Sequence, residues 1–250
     1  MAIKLKKCLS TKISYAQNLW KEISGIAREC GVEYAAKLLH AKYLHNRDDV
    51  KVIIPPKEKN ASLVSLTLGI GNDVSAETRL RSAFPQVQFY GADPILEDGK
   101  PFEAIGKYLQ VVGVSKSGGV VRGSVLINGK YVWRNILTVT MPELLKIFKL
   151  KTIDYLLIDV EGPEYDILPD IVLNKDFNDT TICQINVEVH GPLKKYNVTE
   201  ADFDKILYAI VSRKSPYIPL WIPPRSAHQR FLLVNWQNLY CVRQFFSHWC

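Results

Sequence analysis

The spacing of apolar residues divides the chain into a helical beginning and a longer region in which short apolar runs alternate with helical patterns. Apolar side chains at intervals of three and four residues predict one helix over residues 13–30 and a second over residues 33–44. Residues 46–49 are polar, which is typical of a connection. We therefore expect residues 1–60 to form a helical extension packed on one main domain, residues 61–250.

The main domain has the rhythm of strand, turn and helix. Two β-rich runs, 120–127 and 131–139, flank Asn128 and Gly129, a pair that predicts a tight hairpin turn. Strands that alternate with helices predict an α/β fold, with a mostly parallel sheet covered by helices on both faces. The other predicted strands are 61–68, 87–91, 108–114, 153–160, 181–189, 217–222 and 230–235, and the predicted helices are 74–84, 141–150 and 201–213.

The composition fits a single globular domain. The chain has 250 residues, of which 47% are hydrophobic and 23% are charged. Its net charge of +7 is uneven, because residues 1–60 and 205–250 each carry +6 whereas residues 61–204 carry −5. The basic residues are scattered singly rather than interleaved with aromatic residues, so the sequence speaks against binding of nucleic acid. No apolar run approaches the roughly 20 residues of a membrane-spanning helix.

The cysteines and the first residues bear on the compartment. Five cysteines occur at wide spacing without a CxxC pair, which predicts reduced thiols rather than a disulfide framework. The first residues lack the apolar segment of a signal peptide. We therefore expect a cytoplasmic protein, or one of the secretory pathway if the N-terminus is incomplete. Triplets at Asn60, Asn178 and Asn197 match the N-glycosylation pattern, which also arises often by chance.

Glycines and an acidic residue follow the first two predicted strands of the main domain. Ligands of parallel α/β sheets bind at the carboxyl ends of the strands. Gly69 and Gly71 follow the first strand, where a residue without a Cβ lets the backbone approach a ligand. Asp93 ends the second strand, about 20 residues further on, where a carboxylate binds the hydroxyls of a nucleoside ribose. A simple tight turn and a helix cap are the alternatives.

Carboxylates and a histidine follow two later strands. Asp159 lies at the end of the apolar run 153–160 and Glu161 follows it, and Glu188 and His190 lie at the end of 181–189. Because the carboxyl ends of parallel strands meet at one edge, we expect Asp159, Glu188 and His190 to converge. Such a group suits a metal site or a carboxylate–histidine general base. Ordinary hydrogen-bonded structure is the alternative.

Taken together, these segments resemble FkbM-type methyltransferases, and most closely a nematode-type branch of that family. The likeness covers residues 60–236, and the segments that carry it are LGIGNDVSAE (68–77), GADP (91–94), IDVEGPE (158–164) and VEVH (187–190). The resemblance implies a seven-stranded Rossmann-like fold that binds S-adenosylmethionine and transfers its methyl group to an oxygen. The acceptor would be a hydroxyl of a small molecule or sugar, whose identity the sequence leaves open.

The resemblance also implies roles for the cofactor-binding residues. The turn at Gly69, Gly71 and Asp73 would lie against the methionine part of the cofactor, and Asp93 would hold the ribose. Val114, after the third strand, would border the adenine.

For the transfer itself, His190 is expected to act as general base, oriented by Glu188. Asp159 and Glu161 would bind a divalent metal such as Mg²⁺ or would position the acceptor.

Two departures from the usual methyltransferase pattern leave a second function open. Thr67 stands where an acidic residue is common, and Asp73 stands where a small residue is usual. The alternative is therefore a catalytically inactive methyltransferase-like binding or scaffold protein. A nicotinamide-dependent oxidoreductase would need a G-x-G-x-x-G turn, and Ser75 or Ala76 after Gly69 and Gly71 does not meet that spacing. The oligomeric state stays open.

Overall fold

A seven-stranded sheet forms the centre of the computed structural model, which describes residues 1–47, 49–127, 130–173, 180–191, 193–224 and 227–246. The strands in chain order are β1 (Lys42–His45), β2 (Val50–Ile53), β3 (Leu63–Leu68), β4 (Val87–Asp93), β5 (Lys107–Gln110), β6 (Gly113–Val114), β7 (Gly119–Ile127), β8 (Lys130–Val139), β9 (Thr152–Ile158), β10 (Thr181–Val189), β11 (Tyr217–Trp221) and β12 (Gln229–Asn235).

The central sheet is mostly parallel. Its strand order is β11-β12-β10-β9-β3-β4-β5, and β12 runs antiparallel to both of its neighbours. The chain leaves β3 toward β4 and β5 on one side and returns to β9 and β10 on the other. This reversal of strand order places a crevice at the carboxyl ends of β3 and β9, which is where α/β sheets bind ligands.

Nine α-helices surround the strands in the described ranges. They are α1 (Ala2–Tyr15), α2 (Leu19–Glu29), α3 (Val32–Leu38), α4 (Ser75–Ala83), α5 (Leu96–Gly99), α6 (Met141–Phe148), α7 (Glu164–Val172), α8 (Glu200–Val211) and α9 (Leu239–Cys241). Residues 153–158 of β9 and 182–189 of β10 are all buried. Since successive side chains of a strand point to opposite faces, the central strands are covered on both sides, as predicted. Among the described residues, no helix combines the length and apolar character needed to cross a bilayer.

The first part of the chain differs from the prediction. The helix predicted over 13–30 is two helices, because the chain turns at 16–18 and the Asn18 side chain accepts a hydrogen bond from the backbone N–H of Lys21 at the start of α2. The helix predicted over 33–44 ends at Leu38, where His40 takes a φ of 55°, and β1 follows. The first sixty residues thus contain a β1–β2 hairpin as well as helices.

The extension is continuous with the main core. Leu9, Ile13, Ile23 and Val52 are buried in the same apolar cluster as the central strands. Helices α1 and α2 pack against α8, and the β1–β2 hairpin packs against α4 and β10. The packing brings the hairpin to the carboxyl edge of the sheet. The boundary at residue 60 stays a prediction.

A second, smaller sheet follows β5. The predicted strand 108–114 is interrupted at Val111, whose φ is 59°, so β5 belongs to the central sheet and β6 pairs with β8. The predicted pairing of 120–127 with 131–139 is confirmed by the antiparallel β7 and β8. The turn residues Asn128 and Gly129 lie outside the described residues. Helix α7, which contains Pro169, was not predicted.

The prediction of reduced cysteines is wrong for four of the five. Cys8 is bonded to Cys30 and Cys183 to Cys241, with Cα–Cα distances of 5.7 and 5.2 Å. The partners are separated by 22 and 58 residues, so spacing gave no sign of the pairing, and folding of α1 against α2 and of α9 against β10 brings them together. The fifth, Cys250, lies outside the described residues.

Candidate functional site

A cavity of about 1020 Å³ lies at the carboxyl edge of the central sheet. It extends from the turn after β3 past the ends of β4, β9 and β10, and the β7–β8 hairpin forms one wall. The predicted site residues that line it are Gly69, Gly71, Asp73, Asp93, Val114, Asp159, Glu161, Glu188 and His190. The structure therefore brings these strand ends together around one cavity.

The two glycines of the turn have different surroundings. A Cβ on Gly69 would overlap the backbone oxygen of Asp159, so this position is closed by the packing of β3 against β9. A Cβ on Gly71 would meet nothing within 4 Å, and this residue lines the cavity. Both have positive φ, 76° and 61°. Gly71 is thus the glycine that leaves space for a ligand.

Asp93 holds the glycine turn in place. Its Oδ2 accepts hydrogen bonds from the backbone N–H groups of Ile70 (2.7 Å) and Gly71 (3.2 Å), and its Oδ1 accepts one from Ile95 (2.7 Å). A carboxylate has about four acceptor positions, so roughly one is left for a ligand. Burial raises the pKa of Asp93, although these hydrogen bonds act to lower it. Asp98 also lines the cavity nearby.

Asp73 and Thr67, the two residues that depart from the usual methyltransferase pattern, each form hydrogen bonds in the fold. The Asp73 side chain accepts hydrogen bonds from the backbone N–H groups of Ser75 (3.0 Å) and Arg47 (2.8 Å), and so joins the turn to the start of α4 and to the β1–β2 hairpin. The Thr67 hydroxyl donates to Oε1 of Glu77 at 2.6 Å, and both residues are buried. An acidic group therefore does lie beside Thr67, contributed by α4, and burial raises its pKa.

His190 is enclosed by carboxylates. Its Nδ1 lies 2.9 Å from Oε1 of Glu164, which also accepts the backbone N–H of His190 at 2.6 Å. Its Nε2 lies 3.4 Å from Oδ1 of Asp159 and 3.5 Å from Oε1 of Glu161. Burial alone would lower the pKa of His190, but hydrogen bonds to Glu161 and Glu164, together with the charges of Glu164 and Asp159, raise it to about 11. The imidazole is therefore protonated at neutral pH.

The orientation expected for His190 is wrong in one respect. Glu164 of α7, not Glu188, contacts Nδ1 and fixes the ring. Glu164 is fully buried, and its Oε2 accepts the backbone N–H of Gly162 at 2.8 Å. Although Glu188 and His190 lie on the same side of β10, the carboxylate of Glu188 turns toward β12 instead.

Glu188 pairs with Arg230. Nη2 of Arg230 lies 3.0 and 2.9 Å from the two carboxylate oxygens of Glu188. Nε2 of His228 lies 3.7 Å from the same carboxylate, and Nδ1 of His228 accepts the backbone N–H of Gly191 at 3.0 Å. Burial and the nearby charge of Asp159 raise the pKa of Glu188 to about 7, although the positive charge of Arg230 acts to lower it. This carboxylate can change protonation near neutral pH.

The β1–β2 hairpin contributes a buried lysine to the site. Nζ of Lys51 lies 2.6 Å from Oδ2 of Asp49 and 3.2 Å from Oδ2 of Asp159. Burial alone would lower the pKa of Lys51, but the charges of Asp159, Asp49 and Glu188 outweigh burial and raise it. Asp49 also accepts a hydrogen bond from Nε of Arg230. Lys51 thus connects the extension to the end of β9.

Tyr196 and Lys195 hold the side chain of Glu161 in place. Its φ is 57°, and its Oε2 accepts a hydrogen bond from the hydroxyl of Tyr196 at 2.6 Å. Nζ of Lys195 lies 3.8 Å from the same oxygen. A Cβ on Gly162, whose φ is 121°, would press on the Tyr196 ring. The segment after β9 is therefore fixed by residues 195 and 196.

The carboxylates of the site are already paired with cations. Oδ1 of Asp159 faces His190 and Oδ2 faces Lys51, whereas Glu161 faces His190 and Tyr196. Of the described residues, two sets bring possible metal ligands within 4.8 Å of one another, namely Glu188, His190 and His228, and Asp49, Asp159 and Glu188. Every carboxylate in them contacts Lys51 or Arg230. This arrangement does not fit a divalent metal held by Asp159 and Glu161.

The cavity lining is acidic overall. The cationic residues that line it are Lys116, Arg122, Lys205, Arg230 and the protonated His190, against the acidic residues Asp49, Asp73, Asp93, Asp98, Asp159, Glu161, Asp166, Asp170, Glu188 and Asp202. Low-dielectric walls of one charge sign favour a ligand of the opposite sign. The cavity is therefore suited to a ligand that carries positive charge.

Sequence reasoning gave no role to four residues of the site. Lys51 is an isolated lysine within the apolar run 50–54, and that isolation was a signal of a buried, paired cation. Glu164 belongs to the IDVEGPE segment, but its role depends on the unpredicted helix α7. Arg230 and His228 are brought to Glu188 by β12. Pairing between distant strands carries no local signal.

Comparison with known proteins gives a family match. A sequence model of the family described as Methyltransferase FkbM domain matches residues 29–214. No curated protein matches the chain in sequence. The match includes β1, β2 and every strand that lines the cavity except β12.

Several solved structures are similar at low identity. Aeropyrum pernix fibrillarin, in complex with natively bound S-adenosyl-L-methionine, has 12% identity and a TM-score of 0.40 over 70% of this chain and 68% of that chain. The Methanococcus jannaschii fibrillarin pre-rRNA processing protein has 10% identity and a TM-score of 0.45 over 83% and 77%. M. capricolum TrmK, in complex with S-adenosyl-homocysteine, has 15% identity and a TM-score of 0.36 over 72% and 64%.

Proposed function

The chain belongs to the FkbM methyltransferase family, and from this premise we propose that it transfers the methyl group of S-adenosylmethionine to a hydroxyl oxygen of a small molecule or sugar. The observation that carries the proposal is the acidic cavity at the ends of β3, β4, β9 and β10, with an open glycine turn at its edge. S-adenosylmethionine carries a sulfonium and an ammonium against one carboxylate, so it has the positive charge that this lining favours. The narrower placement in a nematode-type branch is supported by the segment 68–77 alone.

The proposed cofactor contacts follow the turn and the strand ends. The open side of Gly71 leaves room for the methionine part, and Asp73 keeps the turn against α4. Asp93 has about one acceptor position left for a ribose hydroxyl. Asp98, which lines the cavity beside it, is positioned to accept from the other hydroxyl. Val114 offers an apolar surface for the adenine.

The chemical step is an in-line displacement. The acceptor oxygen forms a bond to the methyl carbon, the carbon–sulfur bond breaks with its electron pair going to sulfur, and the hydroxyl proton passes to a base. S-adenosylmethionine supplies an activated methyl group on a good leaving group. The protein therefore acts chiefly by aligning the two reactants and by accepting the proton.

The proposed base is Glu188 rather than His190. A pKa of about 11 keeps His190 protonated at neutral pH, so it cannot accept a proton there. Glu188, with a pKa of about 7, can accept one and lines the cavity. His190 then serves as a fixed cation that holds Asp159 and Glu161 in place. Asp159 is left to position the acceptor.

A metal-dependent reaction is the second mechanism to be tested. It assigns Mg²⁺ to Asp159 and Glu161, which would require Lys51 and His190 to move away from Asp159. The ion pairs of the site favour the first mechanism, in which these side chains supply the positive charge themselves. The two mechanisms make opposite predictions about added Mg²⁺.

Calorimetric titration tests the cofactor proposal. The purified protein is titrated with S-adenosylmethionine, with and without Mg²⁺, and with NAD as the control ligand. We expect micromolar binding of S-adenosylmethionine that Mg²⁺ does not change. An affinity that rises with Mg²⁺ would favour the metal-dependent mechanism. No heat from a folded sample would leave the inactive scaffold as the better proposal.

Transfer of a radiolabelled methyl group tests the reaction. A panel of monosaccharides and hydroxylated small molecules is screened, with RNA included as a competing acceptor class. Glu188→Gln is expected to keep S-adenosylmethionine binding within about threefold and to lower turnover at least 100-fold, in line with the typical contribution of a general base. Full turnover by Glu188→Gln would exclude its role as base. Cofactor binding without transfer to any acceptor would favour the scaffold function.

A further inference from the structure

Two disulfide bonds set the redox environment in which this fold is formed. Cys8–Cys30 connects α1 to the residue after α2, and Cys183–Cys241 connects β10 to α9. Cys183 and Cys241 are fully buried in the main core. Disulfides of this structural kind form and persist in oxidising compartments and are rare in the cytosol. The bonds therefore argue against the cytoplasmic location that the cysteine spacing suggested.

An exposed acceptor triplet lies in a turn far from the cavity lining. Asn60, Ala61 and Ser62 occupy the connection between β2 and β3, where Asn60 and Ser62 are exposed. The backbone N–H of Ala61 donates to the oxygen of Glu58, which closes a turn over these residues. An oligosaccharide is large and polar, so the folded chain tolerates it only where the side chain reaches open solvent. Asn60 meets that condition.

From these two independent observations we propose that Asn60 carries an N-linked oligosaccharide and that the chain matures in an oxidising compartment which glycosylates proteins. The modification forms a bond from Nδ2 of Asn60 to C1 of the sugar. It breaks the bond from C1 to the diphosphate of the lipid-linked donor, and the lipid diphosphate leaves while the amide proton is lost. This proposal does not depend on the proposed methyl transfer.

The other described triplet provides an internal contrast. Asn197 is exposed, but it lines the cavity and has a φ of 54°. The hydroxyl of Thr199, which the modifying enzyme must recognise, donates to Asp202 at the start of α8. An oligosaccharide at Asn197 would stand against the cavity that this residue lines. Asn60 is therefore the site that the fold leaves free, and Asn178 lies outside the described residues.

The test uses the full chain isolated from its own cells. The protein is treated with peptide N-glycosidase in ¹⁸O-labelled water and digested with trypsin, and the peptide of residues 60–79 is analysed by mass spectrometry. We expect an ¹⁸O-labelled aspartate at position 60. Alkylation under denaturing, non-reducing conditions should leave Cys8, Cys30, Cys183 and Cys241 unlabelled. Unmodified Asn60 would overturn the proposal, whether or not the cysteines are oxidised.

A matched pair of variants separates the modification from a folding defect. Ser62→Ala removes the acceptor pattern and should abolish the mobility shift caused by the glycosidase at this site. Ser62→Thr keeps the pattern and should keep the shift. Both changes are at an exposed position, so both variants are expected to fold. Equal shifts from the two variants would contradict the assignment to Asn60.

Discussion

At the scale of single residues, the site is a chain of buried and partly buried charges in which each group has a partner of opposite sign. Lys51 lies between Asp49 and Asp159, and Arg230 lies between Asp49 and Glu188. Burying a charge is costly unless it is paired, so these residues depend on one another. The set fixes the carboxylates at the cavity wall before any ligand arrives.

Removal of the buried lysine tests this dependence. Lys51→Met leaves the buried Asp49 and the partly exposed Asp159 without their shared cation, and it should lower the free energy of unfolding by about 3 kcal/mol. The measurement is urea denaturation at neutral pH. Lys37→Met is the control, since Lys37 pairs with Glu33 on an exposed helix surface and should change stability by less than about 0.5 kcal/mol. Equal effects of the two changes would contradict a structural role for Lys51.

The two glycines of the turn provide a second residue-scale prediction. Gly69→Ala would drive a Cβ into the backbone of Asp159 and should lower the free energy of unfolding by more than about 2 kcal/mol. Gly71→Ala meets open space and pays only the cost of positive φ, about 1 kcal/mol. Its Cβ enters the cavity, so S-adenosylmethionine affinity should fall at least tenfold, about 1.4 kcal/mol.

Denaturation and calorimetry on both glycine variants check this difference. A Gly71→Ala variant with unchanged affinity would mean that the ligand does not approach the turn. A stable Gly69→Ala variant would show that β3 can move away from β9.

The residues of the site could be predicted to the extent that they end strands. Asp159, Glu188 and His190 follow apolar runs, and parallel strands bring such positions to one edge. Which side chains of the site contact one another could not be predicted. Glu164 replaces Glu188 beside His190 because an unpredicted helix starts there. Lys51 reaches Asp159 across 108 residues of sequence, and no local pattern reports such a contact.

At the scale of elements, the β1–β2 hairpin connects the extension to the glycine turn after β3. Oδ1 of Asn46 accepts the backbone N–H of Ala76 at 2.8 Å in the first turn of α4, and Asp73 accepts the N–H of Arg47. The free N–H groups at a helix start need such partners. The hairpin therefore helps to set the position of α4 and of the turn before it.

Two asparagine caps allow this connection to be measured. Asn46→Ala should lower the free energy of unfolding by about 1 kcal/mol and should also weaken S-adenosylmethionine binding, because Asn46 lines the cavity beside the turn. Asn18→Ala removes a similar cap from α2, away from the cavity lining, and should lower stability by a similar amount without changing affinity. Denaturation and calorimetry report the two quantities separately. If both variants bind S-adenosylmethionine equally well, the hairpin does not support the glycine turn.

The elements themselves were predictable where the pattern was simple. Buried strands such as β9 and β10 are rich in apolar residues, and their bounds agree with the prediction within about two residues. The start of α1 was missed because its buried stripe of Ala2, Leu5, Leu9 and Ile13 is interspersed with lysines. The division of 108–114 into β5 and β6 depends on which sheet each half joins, a tertiary choice.

At the scale of the whole molecule, stability depends on covalent and electrostatic links between distant parts. The two disulfides close loops of 22 and 58 residues, which in a chain-entropy estimate contribute about 3 and about 4 kcal/mol. The acidic cavity and the basic ends of the sequence give the charge distribution its asymmetry. The neighbouring carboxylates raise the pKa of His190, so the protonation of this residue makes the stability of the fold depend on pH.

The raised pKa of His190 predicts a specific pH dependence of stability. Its pKa is about 11 in the folded protein and about 6.5 in the unfolded chain, so the folded state holds an extra proton between these values. The contribution of His190 is therefore complete below about pH 6.5 and is lost as the pH rises toward 11, at up to about 1.4 kcal/mol per pH unit. His190→Gln should remove this contribution. The parent chain loses the same contribution as the pH rises, so the difference in the free energy of unfolding between the two proteins should shrink from pH 7 to pH 9. Urea denaturation at each pH measures the difference, and His45→Gln, at an exposed histidine, is the control. A constant difference between His190→Gln and the parent chain over this range would mean that His190 is neutral in the folded state, and His190 would then regain its place as a candidate base.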